Sequence, residues 1–196
     1  MLNFPPDYYD TETRNDFVID SKMKRAWAAQ LEVLEEIRRV CTSHNIRFFA
    51  DWGSLLGAVR HQGFIPWDDD LDIGMLRDDY MHFLEIAPYE LKQPYKLKSL
   101  YNNPDHDIVK CRVITGTHMC FDKNYLETFH LCPYVIGIDI FPIDYIPRDA
   151  VKSKEQTDLI ELVMKVAAKV PEEPPYIDEC IALVHKLEQA IGIAID

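Results

Sequence analysis

Basic residues are scarce in this chain: 21 Lys and Arg stand against 33 Asp and Glu, a formal net charge of −12. A surface that negative argues against nucleic acid as a partner, because backbone phosphates are bound by basic faces. No apolar run reaches the about 20 residues that cross a bilayer, so no transmembrane segment is expected. The opening Met1-Leu2-Asn3-Phe4-Pro5-Pro6 lacks the basic and apolar regions of a signal peptide. The Cys-x-x-Cys pair is missing too. The five cysteines (Cys41, Cys111, Cys120, Cys132 and Cys180) are odd in number and lie mostly in apolar runs. They read as reduced thiols of a cytoplasmic protein rather than a disulfide framework. Repeats and low-complexity tracts are absent. What is present, 47% hydrophobic and 28% charged residues over 196 positions, describes an ordinary globular chain with a real core.

Hydrophobic periodicity divides the chain into three parts. Residues 1–19, polar and aromatic with two prolines, read as an irregular arm. From Ser21 to about His44, Met23, Trp27, Leu31, Leu34, Ile37 and Cys41 recur at helical spacing, with Asp20 or Ser21 as cap. Ile46–Trp52 reads as a strand, Ser54–His61 as a short helix and Leu71–Met75 as a second strand. Arg77 to about Ala87 is predicted helical and ended by Pro88. Strands are expected at Tyr95–Tyr101, Ile108–Ile114, Thr117–Phe121 and Ile136–Ile140. Beyond the segment 20–148, residues 149–196 read as two helices, Asp149 to about Val170 and Tyr176 to about Ile193, separated by Pro171-Glu172-Glu173-Pro174-Pro175. The expected fold class is α/β (mixed α+β), with a mixed sheet, flanking helices and a C-terminal helical hairpin.

Chemistry concentrates in Asp68-Asp69-Asp70-Leu71-Asp72. On a strand, Asp70 and Asp72 project from one face, and such a pair repels itself unless a cation or protons intervene. Hard divalent ions favour these oxygens and share them with substrate phosphates. Asp68 has the same parity and is a further ligand or an orienting group, whereas Asp69 should point to solvent. The Gly53-Ser54 turn opens a helix and would offer N–H groups to a phosphate. The plain alternative, a solvated acidic loop, fits poorly with the apolar Ile65-Pro66-Trp67 before it and Ile73-Gly74-Met75 after it.

Asp139 is a lone charge in the apolar run Gly137-Ile138-Asp139-Ile140-Phe141, where a carboxylate needs a partner or a task. It either completes the metal site, serves as general base on an incoming hydroxyl, or caps a neighbouring turn. Arg60, Lys110 and Arg112 are candidates to neutralise phosphate charge; Arg60 can equally favour the negative end of its helix. Two His-x-Cys pairs, His118/Cys120 and His130/Cys132, leave a zinc reading open beside buried thiols with incidental histidines, although their spacing matches no common zinc module. Trp52 and Trp67 flank the acids, either to stack on a ligand or to pack.

The run Asp51-Trp52-Gly53-Ser54-Leu55-Leu56-Gly57-Ala58-Val59-Arg60 through Ile65-Pro66-Trp67-Asp68-Asp69-Asp70-Leu71-Asp72-Ile73-Gly74-Met75, together with Ile138-Asp139-Ile140-Phe141-Pro142-Ile143-Asp144, closely resembles the LicD family. That family is related to fukutin and belongs to the nucleotidyltransferase-fold superfamily. The likeness covers about residues 25–150. It implies a Gly-Ser helix turn at Gly53 and Ser54, an Asp-x-Asp strand at Asp70 and Asp72, and a third acid at Asp139. It further implies Mg²⁺-dependent transfer, with Mn²⁺ as a substitute, of a phospho-alcohol such as phosphocholine. The donor would be a CDP-alcohol (CDP-choline-like), and the acceptor a hydroxyl of a glycan or lipid-linked glycan. A lipid-linked acceptor would place the enzyme peripherally at the inner membrane face. The alternatives are a nucleotidyltransferase attaching a nucleoside monophosphate, and a catalytically silent module holding metal and nucleotide. Family chains usually continue past the point corresponding to Asp196, so a truncated or short member is expected.

Overall fold

The computed structural model describes residues 1–103 and 108–169, together with the helical positions 182, 185, 186 and 189. It divides into two compact units, Met1–Asp144 and Tyr145–Asp196. In the first, a 3₁₀ turn at Pro6–Tyr9 leads into a hairpin of β1 (Glu12–Arg14) and β2 (Phe17–Ile19). Its two-residue turn puts Asn15 and Asp16 at φ 50 and 59°, the left-handed pair that suits the twist of paired strands. The segment expected to be irregular is therefore ordered.

Helix α1 (Ser21–Ser43) starts as its capping signal requires, Met23 N–H donating to the Asp20 carboxylate at 2.8 Å. After it come β3 (Phe49–Ala50), α2 (Trp52–His61), β4 (Asp72–Leu76), α3 (Arg77–Glu90), β5 (Lys96–Lys98), β6 (Cys111–Ile114), α4 (Lys123–Thr128) and β7 (Gly137–Ile143). The sheet runs β3-β4-β7-β6-β5. Its β4–β7 pair is parallel and the others antiparallel, giving the mixed α/β sheet expected.

Several boundaries moved for local reasons. The first sheet strand shrinks to two residues because the Asp51 carboxylate accepts from Trp52 N–H and starts α2 there. Pro88 lies inside α3, whose last turn is closed by Leu91 N–H donating to Ala87 O at 3.0 Å. Lys96–Lys98 is cut short as Asn102 Oδ1 accepts from Ser99 N–H and folds the chain back. Cys111 rather than Ile108 opens β6, leaving Lys110 outside the strand. The expected strand Thr117–Phe121 does not form. Asp122 instead caps α4, accepting from Asn124 and Tyr125 N–H.

Helices α1 and α3 cover one face of the sheet. Ile73, Met75, Cys111, Val113, Ile138 and Ile140 meet Val33, Ile37, Val40, Tyr80 and Phe83 there, all buried. Alternation sends Asp72, Arg112 and Asp139 to the other face.

In the second unit α5 spans Ala150–Lys169, with the Asp149 carboxylate accepting from Val151 and Lys152 N–H. The expected break at Pro171–Pro175 lies outside the described residues. So does the second helix, apart from those four helical positions. No helix among the described residues is long and apolar enough to cross a membrane.

Candidate active site

Register makes the site. In the parallel pairing Asp72 stands opposite Asp139, and in the neighbouring antiparallel pairing Arg112 stands opposite Asp139. In-register neighbours share a face, so three strands deliver acid, acid and base in one row. Asp139 is 7% exposed. Lys110 Nζ pairs with its Oδ2, and Arg112 Nε lies 2.5 Å from its Oδ1. That contact is an ion pair outside hydrogen-bonding geometry, since Oδ1 is buried without a hydrogen-bond donor. The two strand-parity cations thus converge on the buried acid between them, as a charge in an apolar strand requires.

The acidic loop approaches the same edge. Carboxylate oxygens of Asp68, Asp69 and Asp70 lie within 4.8 Å of one another, the one such His/Cys/Asp/Glu group among the described residues. Asp69 is exposed, but it belongs to the cluster. The loop precedes β4, so strand parity does not govern it. Burial, and after it the charges of Asp70 and Asp139, pushes the Asp72 carboxyl up to about 6. Burial and then Asp70 raise Asp68 as well. Crowded carboxylates with elevated proton affinity, facing a cleft, have the donor chemistry of a hard-cation site.

Neighbouring elements hold this loop by its main chain. From α1, Trp27 Nε1 donates to Asp68 O at 2.8 Å, and Gln30 Nε2 donates to Asp69 O. Residues three apart on a helix present side by side, and Trp27 is clamped further by stacking on Phe64, ring centroids 4.6 Å apart. Gly53 in the first turn of α2 lets the Asp68 carboxylate come close: a Cβ there would meet Asp68 Oδ2 at 2.5 Å, and the carboxylate would have to move. Ser54 Oγ accepts from Asp72 N–H at 2.7 Å, fastening β4 to α2 while leaving the hydroxyl proton to donate. Trp52 sits at φ 44°, a left-handed conformation that costs a bulky residue on the order of 1–3 kcal/mol and clusters at functional sites.

Asp68, Asp70, Asp72, Asp139, Gly53, Ser54, Lys110 and Arg112 therefore fall in one region. Arg60 does not join them: its Nε donates to His61 Nε2 at 2.9 Å, and it lines another cleft with Arg14, Gln62 and Trp67. The two His-x-Cys pairs form no metal group. Cys132 is buried, and His130 is held by Glu32 and Tyr9 at 2.8 and 2.9 Å. Sequence reasoning placed Trp27 in the core and passed over Gln30; the available signal was an amide inside the apolar stripe of a helix, buried at 3% exposure.

A mixed α/β sheet with carboxylates at the start of a central strand, joined to a Gly-Ser helix turn, is the frame of the site, and the family model that matches it is that of a nucleotidyltransferase domain. The LicD/FKTN/FKRP nucleotidyltransferase-domain family matches residues 45–157, more than half of the chain, and the chain belongs to that family. It is 38% identical over 69 residues to the lipopolysaccharide cholinephosphotransferase LicD of Haemophilus influenzae, covering 35% of this chain and 26% of that protein. It is 42% identical over 129 residues to the human ribitol 5-phosphate transferase FKRP, covering 64% of this chain and 23% of that protein. The matches thus span about a quarter of these relatives' length.

Proposed function

We propose that this chain is a phosphotransferase that moves a phosphorylated alcohol from a CDP-alcohol donor to a glycan hydroxyl. The acceptor oxygen bonds to the phosphorus bearing the alcohol, the bond from that phosphorus to the bridging oxygen of the diphosphate breaks, and CMP departs. The acceptor's proton is lost to a carboxylate and from there to water. The clustered carboxylates of Asp68, Asp69 and Asp70 would hold a hard divalent ion, Mg²⁺ or Mn²⁺, with Asp72 beside them as a further ligand; when bound it would offset charge on the diphosphate. The observation that carries the reading is this carboxylate cluster beside the row Asp72–Asp139–Arg112, in a chain whose family includes transferases of choline phosphate and ribitol phosphate.

The protein's own groups supply the rest. Lys110 and Arg112, anchored on Asp139, bring positive charge beside the acids and orient the phosphates. Ser54 donates its hydroxyl proton to a phosphate oxygen. Asp139, already engaged by two cations, positions them rather than serving as base. The enzyme works at the inner membrane face if its acceptor is lipid-linked.

Phosphorus NMR of CDP-choline and CDP-ribitol with Mg²⁺ and a glycan pool tests this, with Asp70→Asn as control. CMP formed only by the wild-type protein with metal supports transfer. Pyrophosphate from CTP, with both donors untouched, identifies a nucleotidyltransferase instead.

A further inference from the structure

Two cavities meet at Asp70. One, about 270 Å³, is mostly apolar and runs under Gly53, Ser54, Leu71 and Ile73. The other, about 640 Å³, opens between the β1–β2 hairpin, the first turns of α1 and residues 134–137, with Phe17, Asp20, Gln30, Asp69, Arg112 and Tyr134 among its walls. Asp70 borders both. Displacement at phosphorus needs the entering and leaving oxygens roughly in line on opposite sides. A carboxylate shared by two cavities meets that demand if each substrate enters by its own.

The larger cleft has the chemistry of a polyol site. Carboxylates of Asp20, Asp69 and Asp70 line it beside the donors Arg112 and Lys22, a mixture that suits hydroxyls, each of which both donates and accepts. Gln30 adds a specific acceptor. Its amide N–H₂ is committed to Asp69 O, which fixes which end is oxygen. Its Oε1, on a side chain only 3% exposed, accepts no hydrogen bond. A buried orphan acceptor on the wall of a cleft is a place for a ligand's donor. Phe17 and Tyr134, 37% and 45% exposed, offer aromatic faces against which the C–H face of a sugar ring packs.

We infer that this cleft is the acceptor-sugar subsite, with Phe17 and Tyr134 stacking on the ring and Gln30 receiving one of its hydroxyls. The assignment rests on the phosphotransferase reading for its purpose but on the cleft for its chemistry. Saturation-transfer NMR of the full chain with N-acetylgalactosamine, N-acetylglucosamine, galactose and ribitol, each at 10 mM on the order of weak sugar affinities, tests it without turnover.

The expected result is a ring-proton signal from at least one sugar, reduced fivefold or more in Tyr134→Ala and Phe17→Ala, with CMP affinity changed less than twofold. These are surface substitutions that leave the core intact; Gln30→Leu, at a buried position, is read only beside a folded-state spectrum. No signal from any probe overturns the assignment. Displacement of the sugar by CMP also overturns it, making the cleft a nucleotide site. If the sugar signal follows the variants while neither CDP-alcohol is cleaved, the subsite stands and the transferase reading falls. If CMP is released but no sugar binds, the reverse holds.

Discussion

Arg112 Nε stands 2.5 Å from Asp139 Oδ1, across the pairing of β6 with β7. Lys110 closes on the other carboxylate oxygen. The pair of cations is thus held beside the acidic loop by a carboxylate that keeps them from lying directly on it. Asp139→Asn removes the anchor. Because Arg112 is partly exposed and its guanidinium can reach water, the stability cost is about 1–3 kcal/mol, as for hydrogen bonds to charged groups. Turnover should fall at least tenfold, with the larger change in KM for donor. Steady-state kinetics alongside thermal melts checks this; near wild-type turnover would confine Asp139 to a structural part.

Asp72 carries a cost in the metal-free protein. Its carboxyl is raised from 3.8 to about 6 by burial and then by Asp70 and Asp139, so between about pH 4 and pH 6 the folded chain holds a proton that the unfolded chain has released. By linkage its stability contribution is fully present below about pH 3.8 and lost as pH rises through about 6. Asp72→Asn should therefore melt higher than wild type at pH 8 without metal, with the difference vanishing near pH 4. The same substitution should abolish the melting increment that Mg²⁺ gives wild type, about 2.7 kcal/mol at roughly a hundredfold excess over Kd. A wild-type protein destabilised less by Asp72 at pH 8 than at pH 4 would reverse the sign and refute the account.

The sheet and most of the site were legible because they follow from short-range patterns. Ile138 and Ile140 alternate with Asp139, and Asp72 precedes the buried Ile73-Gly74-Met75, so parity set each acid opposite the apolar face of its own strand; that Asp72 and Asp139 stand side by side follows from the strand pairing. Asp69 faces solvent as expected, yet it lies in a loop where parity does not apply, and its carboxylate still joins the cluster. The anchors failed for another reason. Trp27 and Gln30 bond to backbone carbonyls of residues 68 and 69, and a carbonyl leaves no residue-type trace in a sequence. Arg60 lies apart from the acids, in the last turn of α2 where its charge favours the helix end; which cleft it lines depends on where that short helix points. Helix α4 was missed since its one start signal, Asp122, sits after a stretch whose β-rich residues read as strand.

Trp27 tests whether the acidic loop is held from α1. Trp27→Phe keeps an aromatic ring against Phe64 but leaves Asp68 O without its donor at 2.8 Å. Stability should fall by about 1 kcal/mol, the net contribution of one hydrogen bond to a part-buried acceptor. A loosened loop should also weaken Mg²⁺ affinity several-fold, read by isothermal calorimetry on samples shown to be folded by near-ultraviolet circular dichroism. Unchanged metal affinity in a destabilised variant would make the bond a contribution to folding alone.

Gly53→Ala separates site geometry from fold. Alanine is the better helix former by up to about 1 kcal/mol, and Gly53 shows no left-handed backbone that only glycine would accept. The new Cβ would nevertheless meet Asp68 Oδ2 at 2.5 Å, so the carboxylate must swing away from α2. Asp68, only partly buried, can do this without disturbing the core, which leaves stability within about 1 kcal/mol of wild type by offset of the two effects. Its departure from Asp69 and Asp70 should lower Mg²⁺ affinity and turnover about tenfold or more, the usual loss when a metal-site carboxylate is misplaced. Calorimetric metal titration with thermal melts of the same samples decides the matter. Full metal affinity in Gly53→Ala would show that Asp68 does not contribute to the cation site, leaving Asp69, Asp70 and Asp72 to form it.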